Sequence, residues 1–183
     1  VSQKTLHYRY APLRQDDDPL ETYMAHTTEI HAAVRRRVAA GSIEPVMLRE
    51  HETERPRVLP ILIGGPEASA IHSAMEGIVP PRPLTHDLLV TVMLALGATL
   101  ERVVITEVRE HTFFAELHLR TAAGEIVVSS RPSDAIALSV RTSAPIFAEE
   151  ALLDEAAVEA PEEAQEGDEE AILDEFRDFL DDV

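Results

Sequence analysis

Cysteine and tryptophan are both absent from this 183-residue chain, and aromatic residues make up only 4% of it. Without Cys there is no disulfide, no thiolate metal site and no Cys nucleophile. The scarcity of rings means that the core has to be built from aliphatic side chains. No apolar run reaches bilayer-spanning length, and the N-terminus lacks the apolar stretch of a signal peptide. These absences predict a cytoplasmic protein without membrane contact. Lys4 is the only lysine. Either genomic base composition accounts for that, or the planar Arg fork is favoured because it suits phosphate and carboxylate. Common catalytic signatures are missing too. There is no Gly-rich loop ending in Lys-Ser or Lys-Thr, no dinucleotide fingerprint in "GGPEASA", no Gly-x-Ser-x-Gly elbow, no His-Glu-x-x-His pair and no helix-turn-helix with a basic recognition face.

Charge is abundant but unevenly placed. The net charge is −18, yet residues 148–183 hold 16 acidic side chains against one base, Arg177, while residues 1–147 hold 18 acids against 15 bases. A nearly neutral domain is followed by an acidic extension.

Four sections follow from the pattern. Residues 1–42 form an N-terminal segment in which Glu21 to Ala40 read as a helix ended by Gly41. Residues 43–155 carry the folded domain. In it, "EPVMLREH" and "RVLPILIG" predict a β-hairpin, and "GGPEASAIHSAMEG" a short helix with Pro66 at its start and Gly77 at its end. "THDLLVTVMLALG" predicts a helix capped by Thr85, closed by Gly97, with Leu88, Leu89, Val92 and Leu96 as its buried stripe. "LERVVITEVRE", "HTFFAELHLR" and "IVVSS" predict an antiparallel meander, the second with Phe113, Ala115, Leu117 and Leu119 on its buried face. A helix then opens at Pro132. Residues 156–170 are a polar, highly charged linker of disordered type. Residues 171–183 place Ile172, Leu173, Phe176, Phe179 and Leu180 on one face of an amphipathic helix, too short to be stable alone and so expected to dock on the body, a second subunit or a partner. The expected fold class is α+β, a compact domain with an antiparallel meander and packed helices, plus the acidic extension.

Two junctions share one grammar. "RPLTHD" (Arg82 to Asp87) and "RPSD" (Arg131 to Asp134) each set an Arg-Pro before a helix, with a hydroxyl and an acid in the first turn. If they meet, they form a polar cluster able to hold phosphate or a divalent cation. The structural reading is equally available: hydroxyls at Thr85, Ser130 and Ser133 as caps, Pro in the first turn, and Asp87 and Asp134 at a helix dipole. Glu67, in the first turn of its own helix, is either a dipole partner or a metal ligand. Arg141 shares a helix face with Asp134 and belongs either to an ion-pair network with Arg131 or to substrate binding.

Five blocks in order, "LPILIGGPEASAI", "GIVPPRPLTHDLL", "LERVVI", "TFFAELHL" and "RPSDAIALSVRTSAPIF", closely resemble the bifunctional nuclease domain family of bacteria and plants, over about residues 45–155. The resemblance implies a self-associating α+β domain that hydrolyses DNA and RNA. It carries motif positions (Glu67, Arg82, His86, Asp87, Arg131, Ser133 and Asp134) rather than roles. The acidic linker and "FRDFLDDV" resemble the tails of actinobacterial members. One departure stands out: the family enters through a strand where this chain reads "IHAAVRRRVAAGS", which looks helical. That leaves either a diverged N-terminus or a first strand lost to an upstream start, for which a first residue of Val fits a GTG codon, and it predicts an unpaired sheet edge.

The expected function is metal-assisted phosphodiester hydrolysis of nucleic acid. Asp87, Asp134 and Glu67 would hold Mg²⁺, Arg131 and Arg82 would stabilise charge on phosphorus, His86 would move protons, and Ser133 and Arg141 would contact substrate. The alternative is a non-catalytic, self-associating regulatory or scaffold module that presents the Arg/Asp cluster to a ligand or partner.

Overall fold

A computed structural model describes residues 27–34, 43–51 and 55–159. The expected linker beyond residue 159 and the helix over residues 171–183 lie outside the described residues. Eight strands and four helices follow in the order β1 (Thr27–Val34), β2 (Ile43–Glu50), β3 (Arg57–Gly64), α1 (Gly65–Met75), α2 (Thr85–Ala95), β4 (Thr99–Arg109), β5 (Thr112–Thr121), β6 (Gly124–Ser130), α3 (Pro132–Thr142), β7 (Ile146–Glu149), α4 (Glu150–Ala156) and β8 (Val158–Glu159). The fold is α+β, as the sequence predicts.

All eight strands form one sheet, ordered β6-β5-β4-β7-β1-β2-β3-β8. The hairpin β2–β3 and the meander β4–β5–β6 are antiparallel, as expected from their alternating residues and short turns. The β4–β5 turn places Glu110 and His111 at φ of 48° and 59°. The join between the two units is β7, which runs parallel to β4 and antiparallel to β1.

Residues 27–34 correct the expectation of a helix over Glu21 to Ala40. They are a strand inside the sheet, with Ile30 opposite Glu50 on one side and Ile146 on the other. Four of its eight residues, Thr27, Thr28, Ile30 and Val34, are β-branched, and two neighbouring strands supply its backbone partners, which together outweigh the helical spacing read over the longer segment. The sheet position expected to be empty is therefore filled. The linker expected from residue 156 also begins later, because Val158–Glu159 pairs with Arg57 and Val58 of β3.

One main core lies between the helices and one face of the sheet. It joins Leu48, Leu59, Val103, Ile105, Ala115 and Leu117 of the strands to Ile71, Val90, Ile136, Leu138, Leu152 and Leu153 of the four helices. As predicted, it is wholly aliphatic at its centre, and Phe113 and Leu119 pack at its margin. The opposite face of β5 is less polar in setting than alternation implies. His118 is buried there, with its Nδ1 and an Arg102 Nη2 each 2.8 Å from Glu125 Oε1. That pairing, with His118 the larger influence, holds the Glu125 carboxyl below its ordinary pKa.

Helix α2 corrects a second expectation. Its buried residues are Val90 and Met93, while Leu88, Leu89, Val92 and Leu96 face outward. The helix is apolar nearly all round, so periodicity identifies a stripe without saying which stripe meets the core. Gly77 and Gly97 follow α1 and α2 at φ of +66° and +72°, the left-handed conformation expected of helix-ending glycines.

Candidate functional site

The first turns of α1, α2 and α3 converge. Each helix opens after a residue in extended conformation (Gly64, Leu84 and Arg131), so each presents its positive dipole end and unpaired N–H groups to the junction. Arg131 ties α3 to α1. Its Nε and Nη2 donate to Asp134 Oδ2 and Oδ1 at 2.7 and 3.0 Å, and its Nη1 donates to Glu67 Oε1 at 3.3 Å. His86 completes the arrangement, with Nε2 3.1 Å from Asp134 Oδ1. The two Arg-Pro junctions, 48 residues apart in sequence, do meet.

Asp134 is held below the ordinary carboxyl pKa, first by the Arg131 hydrogen bonds, which outweigh partial burial, and then by His86. An ionised carboxylate only accepts. His86 must therefore carry its proton on Nε2 and, when neutral, present a lone pair at Nδ1. Asp134 and Glu67 in turn raise the Arg131 pKa further above its already high value. The Arg131 side chain is 65% exposed. Three of its five N–H groups are engaged, which leaves two for an incoming anion.

Asp87 works differently. Its Oδ2 accepts the Leu84 backbone N–H at 2.9 Å, and its Oδ1 accepts from Arg141 Nε at 2.6 Å. Burial pushes its carboxyl up, but Arg141 and the Leu84 N–H more than offset this and hold it below the ordinary value. Asp87 is thus the cap of α2. Thr85, expected in that role, makes no capping bond, nor does any side chain at the start of α3. Ser130 instead donates to the Arg131 carbonyl at 2.9 Å.

Two residues expected to contact substrate sit inside the fold. Ser133 is buried inside the first turn of α3. Arg141 is also buried, and spends its guanidinium on Asp87, on the Ala137 carbonyl at 2.9 Å and on the Ala70 carbonyl at 3.2 Å. It fastens α1, α2 and α3 to one another and pairs with Asp87, outside the ion pairs that Arg131 makes with Asp134 and Glu67. Arg82 remains exposed on the connection into α2. Glu67 is half-buried, and its Oε2 lies 2.5 Å from where a Cβ on Gly64 would stand, so only glycine admits this carboxylate position.

The expected cation ligands do not form a metal-binding set. Glu67 and Asp134 face Arg131, and Asp87 faces Arg141. Among the described residues no group of three or more His, Asp or Glu gathers to hold a metal ion. Both oxygens of Asp134 accept guanidinium hydrogens, so a divalent ion there would share the carboxylate with the Arg131 cation. Its dipole ends, spare guanidinium hydrogens and imidazole suit an anion better than a cation. No helix among the described residues is long and apolar enough to cross a membrane.

Comparison with known proteins agrees with this picture at the level of family. A sequence model described as the bifunctional nuclease domain matches residues 46–161. Two relatives, Uncharacterized protein MT1877 from Mycobacterium tuberculosis strain CDC 1551 / Oshkosh and Uncharacterized protein Rv1829 from strain ATCC 25618 / H37Rv, are each 41% identical over 151 residues, covering 80% of this chain and 90% of the relative.

Proposed function

Because the chain belongs to the bifunctional nuclease domain family, we propose that it hydrolyses phosphodiester bonds of DNA and RNA at the junction of α1, α2 and α3. The observation that carries this reading is the His86–Asp134–Arg131 arrangement, in which an ionised carboxylate both orients an imidazole and holds a guanidinium outward. A phosphate seated on the free Arg131 N–H groups would lie beside the first turn of α2, where the helix dipole adds to the attraction. His86 Nδ1 would take a proton from water as the water oxygen attacks phosphorus. Arg131 would meet the charge that builds on the phosphoryl oxygens, and the bond from phosphorus to the leaving oxygen would break. Exposed Arg82 would contact the backbone of the nucleic acid. Every step uses this chain's own side chains.

In the test, His86→Ala and Asp134→Asn are purified alongside the unchanged protein and assayed on single-stranded DNA and RNA, with Mg²⁺ and with EDTA in parallel. Loss of the imidazole should cost about 10²–10⁴-fold in rate while the thermal melt stays cooperative. Cleavage that survives both substitutions would come from a contaminant and sink the proposal. A dependence on Mg²⁺ would mean that a cation joins the carboxylates of the junction in the active state.

One observation favours the second reading, a non-catalytic module. Glu67, Asp87 and Asp134 all have cationic partners, so the cluster is electrically closed as it stands. On that reading the junction would bind an anionic ligand without turning it over.

A further inference from the structure

The outward stripe of α2 lacks an occupant among the described residues. Leu88, Leu89, Val92 and Leu96 are 55%, 41%, 43% and 79% exposed, and Ile78, Val79 and Leu84 on the connection before the helix are exposed as well. Single exposed leucines are ordinary, but four at helical spacing form a continuous apolar ridge of the kind that marks a contact surface. The ridge starts at the end of α2 that carries His86, with exposed Arg82 just before it and Arg131 across the junction.

We infer that residues 171–183 of the same chain lie along this ridge. The segment has its own apolar stripe (Ile172, Leu173, Phe176, Phe179 and Leu180), and its 13 residues match the 11 of α2 in length. Its polar positions hold Asp174, Glu175, Asp178, Asp181 and Asp182 against Arg177 alone. This charge complements Arg82, the outward half of Arg131 and the positive end of α2. The described structure ends at Glu159, leaving residues 160–170 as a tether, whose 11 residues span at most about 36–40 Å. A domain of this size has a radius of gyration of about 14 Å. Tethering raises the effective concentration of the segment to the millimolar range, so a weak apolar contact is enough.

Because the chain contains neither Trp nor Cys, both probes can be placed singly in the full-length protein. A Phe179→Trp chain should emit to the blue of the same chain in urea, and adding Val92→Asp and Leu96→Asp, both on the solvent side, should return it to the red. An indole that reads as water-exposed in both backgrounds overturns the docking. In the second measurement, Leu96→Cys with Phe179→Cys should close an intrachain disulfide about tenfold faster than Ala122→Cys with Phe179→Cys, since docking concentrates the tail locally. Equal rates, or only interchain disulfides, overturn it, and the latter result would assign the ridge to a second copy.

Discussion

Replacing Arg141 with Met removes the charge while keeping a long, unbranched side chain in the same space. Arg141 is buried, with a side-chain exposure of 6%, and it bonds Asp87 at 2.6 Å and two carbonyl oxygens, of Ala137 and Ala70. Breaking a buried pair by deleting one partner costs about 3–5 kcal/mol. Asp87 keeps roughly a quarter of its side-chain surface in water, so the low end applies and the expected loss is about 3 kcal/mol. For a domain of this length that is about 6–12 °C in melting temperature. The loss also has a pH signature. The Asp87 pKa is lowered in the folded state, so the folded protein binds fewer protons than the unfolded chain near that range. Its stabilisation is complete above the ordinary carboxyl value of about 4 and disappears as pH falls through the folded value. The gap between the unchanged protein and Arg141→Met should therefore be widest at neutral pH and narrow on acidification. Urea titrations at pH 7 and pH 3 read this directly. A gap under about 1 kcal/mol at pH 7, or one that stays constant down to pH 3, would refute the role given to Arg141. So would a variant of normal stability whose only defect is a raised KM for nucleic acid.

Other perturbations separate further parts of the molecule. Arg131→Lys keeps the charge but loses the two-pronged grip on Asp134, so cleavage should fall about tenfold with little change in melting temperature; full retention of activity would show that a point charge suffices. Ser143 ends α3 at φ 58°, and Ser143→Gly should stabilise by about 0.5–1 kcal/mol in urea denaturation; destabilisation would mean that its side chain, not its backbone, is what matters there. Arg57 bonds buried Glu50 together with Glu150 and Asp154, and Arg57→Met should cost about 3 kcal/mol without touching cleavage measured below the melting temperature. In Ser133→Ala, nucleic-acid affinity should be unchanged, because the hydroxyl is buried; weakened binding would restore it as a substrate contact.

What could be read from the sequence was whatever short-range chemistry decides. The hairpin, the meander and the glycine stops all depend on neighbours in the chain. The convergence of "RPLTHD" with "RPSD" was legible because two junctions shared one pattern. Strand β1 was not, since its partners are β2 and β7, and the latter lies more than a hundred residues away. Nor was β7, four residues long, too short for alternation to register. Periodicity named the α2 stripe correctly and placed it on the wrong side, because only the tertiary fold decides which apolar face is covered. The tie between Asp87 and Arg141 crosses 54 residues, whereas helix-face spacing pointed to Asp134 and a network shared with Arg131.

The position of β1 bears on how this domain can be cut and how it assembles. The family match begins at residue 46, after Val34, where β1 ends, and inside β2. A fragment trimmed to the match would keep both flanks of the sheet and delete a strand from its middle, exposing the edges of β2 and β7 to any passing chain. The pairing of Thr27 with Glu149 closes a loop of more than a hundred residues, at an entropic cost of about 4 kcal/mol beyond the constant term. On the ribosome, β1 emerges first and must wait for β7 before both its edges are satisfied.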